Sequence, residues 1–155
     1  MNALNELTAL YEQYQREVDA VIKKAKPTDG ILGFGHGPKD DPCHERFIHS
    51  FTDLIGRSVQ EGVSAEEADG LLSYIFEAQQ KEKTFVYWSM IAVHGDAMPL
   101  ISFLTKERAS EMLDQYQAMF PQNHRLPVQD KIVDALARQA GREPVRKKRF
   151  PWSRG

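Results

Sequence analysis

Cysteine is almost absent from this sequence, with Cys43 the single example among 155 residues. One cysteine excludes an internal disulfide, so the chain is not a disulfide-stapled scaffold. Long hydrophobic runs are missing too, because no apolar stretch approaches the roughly 18 residues needed to cross a bilayer. Residues 1–6 have neither the basic start nor the apolar stretch of a secretory signal. We therefore expect a soluble, cytoplasmic protein.

A strong net charge is also absent, but the net charge of −2 hides an asymmetry along the chain. Residues 142–155 carry six Lys or Arg and one Glu, whereas residues 1–141 carry 14 basic and 21 acidic side chains. The first part repels nucleic acid and anionic lipid, while the second attracts both. The sequence therefore predicts one domain at 1–141 and a basic, flexible tail at 142–155.

Hydrophobic periodicity predicts helices in most of the domain. Apolar residues recur every three or four positions near the N-terminus, as expected for a helix with one face toward a core. That face comprises Leu4, Leu7, Tyr11, Tyr14, Val18, Val21 and Ala25. A second helix, from 42 to about 60, presents Cys43, Phe47, Phe51, Leu54, Ile55 and Ser58 on one face. Ser64 with Glu67, Thr105 and Pro127 are start signals for three more helices.

Residues 84–94 are apolar on nearly every side, so periodicity cannot separate a buried helix from a buried strand. We prefer a helix that ends near His94, because an isolated two-stranded sheet is only marginally stable. The predicted fold is all-α, a compact bundle or orthogonal array of five to six helices. The alternative is an α+β fold with a hairpin at 84–104, in which 100–104 form the second strand.

The most distinctive segment is a glycine-rich loop that leads into the second helix, and it supplies the candidate ligand-binding residues. These are His36, Lys39, Cys43 and His44, together with the more distant His94. Backbone N–H groups of the loop and the helix start could bind an anion. A thiol in the first turn of a helix has a lowered pKa and could act as a nucleophile, with a histidine as its base.

Metal binding is a third interpretation of this segment, since cysteine and histidine are ligands for zinc. The spacing matches no established metal motif, and adjacent Cys43 and His44 point about 100° apart on a helix. We therefore predict no metal site and no cofactor. The fourth interpretation, which we favour, is a connector whose glycines permit a tight chain reversal.

The tail mixes cations with aromatic residues, a composition suited to a polyanion or a membrane surface. The candidate polyanion-binding residues are Arg146, Lys147, Lys148, Arg149 and Trp152. Contact with nucleic acid or anionic lipid is expected only through this tail, and a solvated segment is the simpler interpretation.

No catalytic motif stands out, so we expect a non-catalytic protein-interaction or assembly module that binds a protein partner or a second copy of itself. The alternatives are a small-ligand, anion or metal-binding protein or enzyme that uses the glycine-rich loop and the Cys43 helix, and weak polyanion binding through the tail.

Overall fold

Helices account for all the regular secondary structure that our computed structural model describes, namely residues 2–24, 42–78 and 93–143. The six α-helices are α1 (Ala3–Lys24), α2 (Pro42–Glu61), α3 (Ala65–Ala78), α4 (His94–Ala97), α5 (Lys106–Met119) and α6 (Pro127–Gln139). Two 3-10 helices lie at Met98–Phe103 and Gln122–His124. The prediction of an all-α fold with five to six helices is confirmed.

Side chains cap the helices where the sequence predicted helix starts. The hydroxyl of Ser64 accepts a hydrogen bond from the backbone N–H of Glu67 at 3.1 Å. The hydroxyl of Thr105 accepts one from the N–H of Arg108 at 3.1 Å. Each satisfies a backbone donor that has no partner within its own helix.

The end of α6 is a Schellman turn that reverses the chain. Gly141 has a φ of 70°, a conformation that glycine adopts without steric cost. Its N–H donates to the carbonyl of Arg138, and the N–H of Arg142 donates to that of Ala137 at 2.8 Å. The guanidinium of Arg142 then contacts the carboxylate of Asp114 on α5 at 3.0 Å. Arg142, which the charge pattern places in the tail, is thus bound to the helical domain.

The predicted inward faces form one hydrophobic core. All six residues assigned to the inner face of α2 are buried, and so are four of the seven assigned to the first helix. Buried side chains of α3, α5 and α6 join the same cluster. Helix α1 packs on α2 and α3, and α5 packs on α6, with α4 and the Met98–Phe103 helix contacting both α3 and α6.

The alternative prediction that residues 100–104 form the second strand of a hairpin is wrong, because this segment lies mostly within the Met98–Phe103 3-10 helix. Pro99 stands at the start of that helix, where its missing N–H costs nothing, whereas in a ladder it would lose a hydrogen bond. His94 begins α4, and the helix predicted to end near it falls on residues outside the described ones. Residues 79–92, which include most of the apolar run, lie outside the described residues.

Within the described residues, none of the helices combines the length and the apolar character that a membrane span requires.

Candidate functional site

Helices α1 and α2 meet through an aromatic contact that fixes the start of α2. The ring of Tyr14 stacks on that of Phe47, with centroids 4.4 Å apart and planes 10° from parallel. The hydroxyl of Tyr14 lies 3.2 Å from Nδ1 of His44. At the edge of this contact, Arg46 forms a 2.6 Å ion pair with Glu17. The candidate residue His44 is therefore held in place by α1.

Cys43 lies beside His44 in the chain but points inward. Its side chain is 2% exposed and belongs to the hydrophobic core, on the same face of α2 as Phe47. A small cleft of about 100 Å³ between α1 and α2 reaches this position, and the Glu17–Arg46 pair lines it. The first turn of α2 exposes backbone donors that favour a thiolate, whereas burial among apolar groups opposes one. In this setting Cys43 acts as a small apolar side chain.

The outward face of α2 borders a largely open region of about 780 Å³. The described residues that line it are His44, Glu45, Arg46, Ile48, His49 and Thr52. Ile48 is partly exposed and packs against the hydrophobic core at its base, so an apolar side chain stands among polar and charged ones. We call these six residues the α2 face.

His94 occupies a different part of the molecule, where it is fully buried at 0% exposure. Its Nδ1 lies 3.1 Å from the hydroxyl of Tyr116 on α5. The rings of Phe76, Tyr116 and Phe120 surround it at centroid distances of 5.0, 5.9 and 5.8 Å. We call His94 and these three aromatic residues the His94 cluster.

Burial in this cluster lowers the pKa of His94 from 6.5 to about 3, because the charged imidazolium would lose its hydration. The backbone of Ile75 acts in the opposite direction, but its effect is the smaller one. No described residue accepts a hydrogen bond from Nε2 with good geometry, so the Ile75 contact is a weak one. The ring is therefore neutral at pH 7, and Tyr116 is its hydrogen-bond partner.

Three of the predicted site residues lie within the part of the chain that the structure describes. Cys43 and His44 are adjacent at the start of α2, whereas His94 contacts side chains of α3 and α5. The loop residues His36 and Lys39 lie outside the described residues, as do the tail residues Arg146, Lys147, Lys148, Arg149 and Trp152. The anion and polyanion predictions that depend on them stay predictions.

Within the described residues, no three His, Cys, Asp or Glu side chains lie close enough together to hold a metal ion.

Sequence reasoning missed the contacts that join distant segments. Arg108 of α5 forms a 2.8 Å ion pair with Asp69 of α3 and another with Glu111 one turn along its own helix. The pairing of Arg108 with Glu111 was visible as a spacing of three residues. The separation of Arg108 from Asp69, like that of Tyr14 from His44, does not match the repeat of a helix. The sequence therefore did not indicate either contact.

Comparison with known proteins yields no match: no protein family, no curated protein and no solved structure is significantly similar to this chain.

Proposed function

We propose that this chain is a cytoplasmic protein-interaction module without catalytic activity, and that the α2 face binds its partner. The single observation that carries the proposal is the partly exposed Ile48, which lies among charged and polar side chains beside an open region of about 780 Å³ along α2. Interfaces between proteins commonly combine an apolar centre with a polar rim.

Ile48 is suited to be the apolar centre of such an interface. Its base already packs on the core, so little side-chain freedom remains to be lost when a partner covers it. Arg46 is restrained in a similar way by Glu17, which leaves the pair pre-ordered at the edge of the surface. Side chains that are already ordered favour binding, because little conformational entropy is lost when a partner covers them.

The positions of Cys43 and His94 also favour an interaction module over an enzyme. Both side chains are engaged in the core, where Cys43 packs beneath α2 and His94 lies within its aromatic cluster. A nucleophile and its base need hydrogen-bond contact with each other, or with one shared substrate. These two residues have different neighbours, which supports packing roles for them.

Site-specific photocrosslinking in the native host tests the proposal. A photoreactive phenylalanine analogue in place of His49, an exposed residue of the α2 face, should give one discrete covalent adduct. The same analogue in place of Lys131, exposed on α6, is the matched control and should give none. The mass of the adduct distinguishes a second copy of the chain from another protein.

Equal or absent crosslinking at the two positions would refute the α2 face as the interface. A measured turnover on any substrate that is lost when Cys43 is changed to Ala would refute the non-catalytic assignment.

A further inference from the structure

The His94 cluster lies where two parts of the described chain meet. Phe76 belongs to α3, which packs with α1, whereas Tyr116 and Phe120 come from α5 and its end. His94 contacts rings from both sides, so it acts as a bridge between them. The N-terminal part, residues 2–78, has its own aromatic contacts, including the Tyr14–Phe47 stack and the edge contact of Tyr11 with Tyr74.

Among residues 2–24, 42–78 and 93–143, no charged side chain contacts the His94 ring to compensate a positive charge on it. Helix α3 presents Phe76 and the Ile75 backbone to the ring, and α5 presents Phe120 and the Tyr116 hydroxyl. Asp96, on the same short helix as His94, is exposed. Among the described residues, Tyr116 is therefore the titratable group that directly contacts the imidazole.

The other helices packed near α4 add little charge. The buried face of α2 contains one titratable group, the Cys43 thiol. The buried face of α6 is Gln129, Ile132, Val133, Leu136 and Ala137, none of them titratable. The 3-10 helix Met98–Phe103 has no ionisable side chain. A proton on His94 would thus introduce a charge into an apolar, fully enclosed site.

The segment that carries His94 is built from short local turns. Neither α4 nor the Met98–Phe103 helix has a side-chain cap at its start. The side-chain amide of Gln139 holds the far end, through hydrogen bonds to the carbonyls of Ser102 and Leu104. Opening this segment breaks few backbone hydrogen bonds, and its cost comes mainly from exposing its buried apolar side chains, such as Ala97 and Leu100.

We propose that His94 is a pH-sensitive contact: its protonation opens residues 93–104, while α1 and α2 stay folded against each other. The inference concerns the core and does not depend on the proposed binding role of the α2 face.

The lowered pKa fixes the direction and range of the effect. His94 has a pKa near 6.5 when the segment is open and of about 3 when it is closed. At a pH between these two values, the open form therefore binds a proton that the closed form does not. Acid therefore favours opening, from about pH 6.5 down to about pH 3. From pH 7 to pH 5 the opening equilibrium constant rises about 25-fold, given pKa values of 6.5 and about 3.

Amide hydrogen exchange at pH 7 and pH 5, corrected for intrinsic exchange rates, tests this inference. Amides within 93–104, such as those of Asp96 and Leu104, should show the 25-fold rise, and those central to α1 and α2 should not. The same rise in α1 and α2 would mean global unfolding and would refute a local opening. No rise in 93–104 would refute the role of His94.

Two variants assign the effect to this side chain. His94→Gln removes the titrating group and should abolish the pH dependence within 93–104, whereas His49→Gln, which alters an exposed histidine, should preserve it. If His94→Gln does not fold, an NMR titration of the His94 imidazole in the unmodified protein tests the same proposal. The His94 imidazole should stay neutral at pH 5, and a ring that titrates near 6.5 in the folded protein would refute the proposal.

Discussion

Replacement of Gly141 by alanine should destabilise the protein by about 1–2 kcal/mol, since an L-residue in the left-handed region brings its Cβ too close to the backbone. The φ of Gly141 is 70°. An added Cβ would also lie 2.9 Å from Cε of Lys106. That atom is near the end of an exposed, flexible side chain, which can move at little cost, so the backbone conformation should dominate the effect.

Two other glycines separate the backbone effect from the steric one. Gly62 has a φ of 80° and no atom within 4 Å of an added Cβ, so Gly62→Ala should show the backbone cost alone. Gly56 lies within α2 with equally free surroundings. Gly56→Ala should therefore stabilise the protein by about 0.5–1 kcal/mol, because alanine is the better helix former.

Urea unfolding followed by circular dichroism measures all three variants, with the midpoint compared at constant slope. The corresponding change in Tm is about 2–4 °C for each kcal/mol in a chain of this size. If Gly141→Ala is neutral while Gly62→Ala is destabilising, the Schellman turn does not hold the end of α6 in solution. If Gly56→Ala is destabilising, the surface of α2 at that position is covered, which would contradict the open space seen there.

Three further predictions concern Tyr116, Arg108 and Cys43. Tyr116→Phe should cost about 1–3 kcal/mol, because it leaves a buried nitrogen of His94 unpaired. Arg108→Ala should cost about 1 kcal/mol in urea unfolding at low salt and less at high salt. Asp69 is the main cause of the raised pKa of Arg108, which marks their pair as the stronger of its two contacts. Cys43 should react with a bulky thiol reagent at least about 100-fold more slowly in native protein than in urea, because labelling requires opening.

Matched changes at less enclosed contacts serve as controls for these predictions. Tyr14→Phe removes a hydroxyl whose contact with His44 is only partly buried, so it should cost less than Tyr116→Phe. Arg57→Ala breaks pairs with Glu6 and Asp53 on an exposed surface and should have less effect than Arg108→Ala. The opposite order in either comparison would contradict the assigned burial. Equal native and denatured labelling of Cys43 would show that the α1–α2 cleft admits the reagent.

The inward faces of the long helices were predictable because each has one buried side and one solvated side. On α2 the alternation is complete, from Cys43 through Ser58, and the predicted face is the buried one. Start signals such as Thr105 were equally local, since a capping side chain and its backbone partner lie three residues apart. These features depend on short stretches of sequence and on helix geometry alone.

The surroundings of His94 could not be predicted in the same way. A side chain buried on every side has no periodic pattern, and its hydrogen-bond partner Tyr116 is 22 residues further along the chain. The histidine–glycine pair instead suggested a helix end, because that local sequence is common there. His94 begins the short helix α4 and packs against Phe76 and Phe120. These contacts come from distant parts of the chain, so no local pattern indicates them.

The candidate site was predicted in part, and the missing part decides how Cys43 can react. Adjacent positions on a helix point about 100° apart, which correctly implied that Cys43 and His44 would not face one point. The sequence did not reveal that α1 covers both, through Tyr14 and the Glu17–Arg46 pair. A reagent larger than the cleft of about 100 Å³ that reaches Cys43 would first have to open this contact, where the Tyr14 and Phe47 rings stack. The apparent reactivity of the thiol is thus set by the stability of the α1–α2 packing as much as by its position at a helix start.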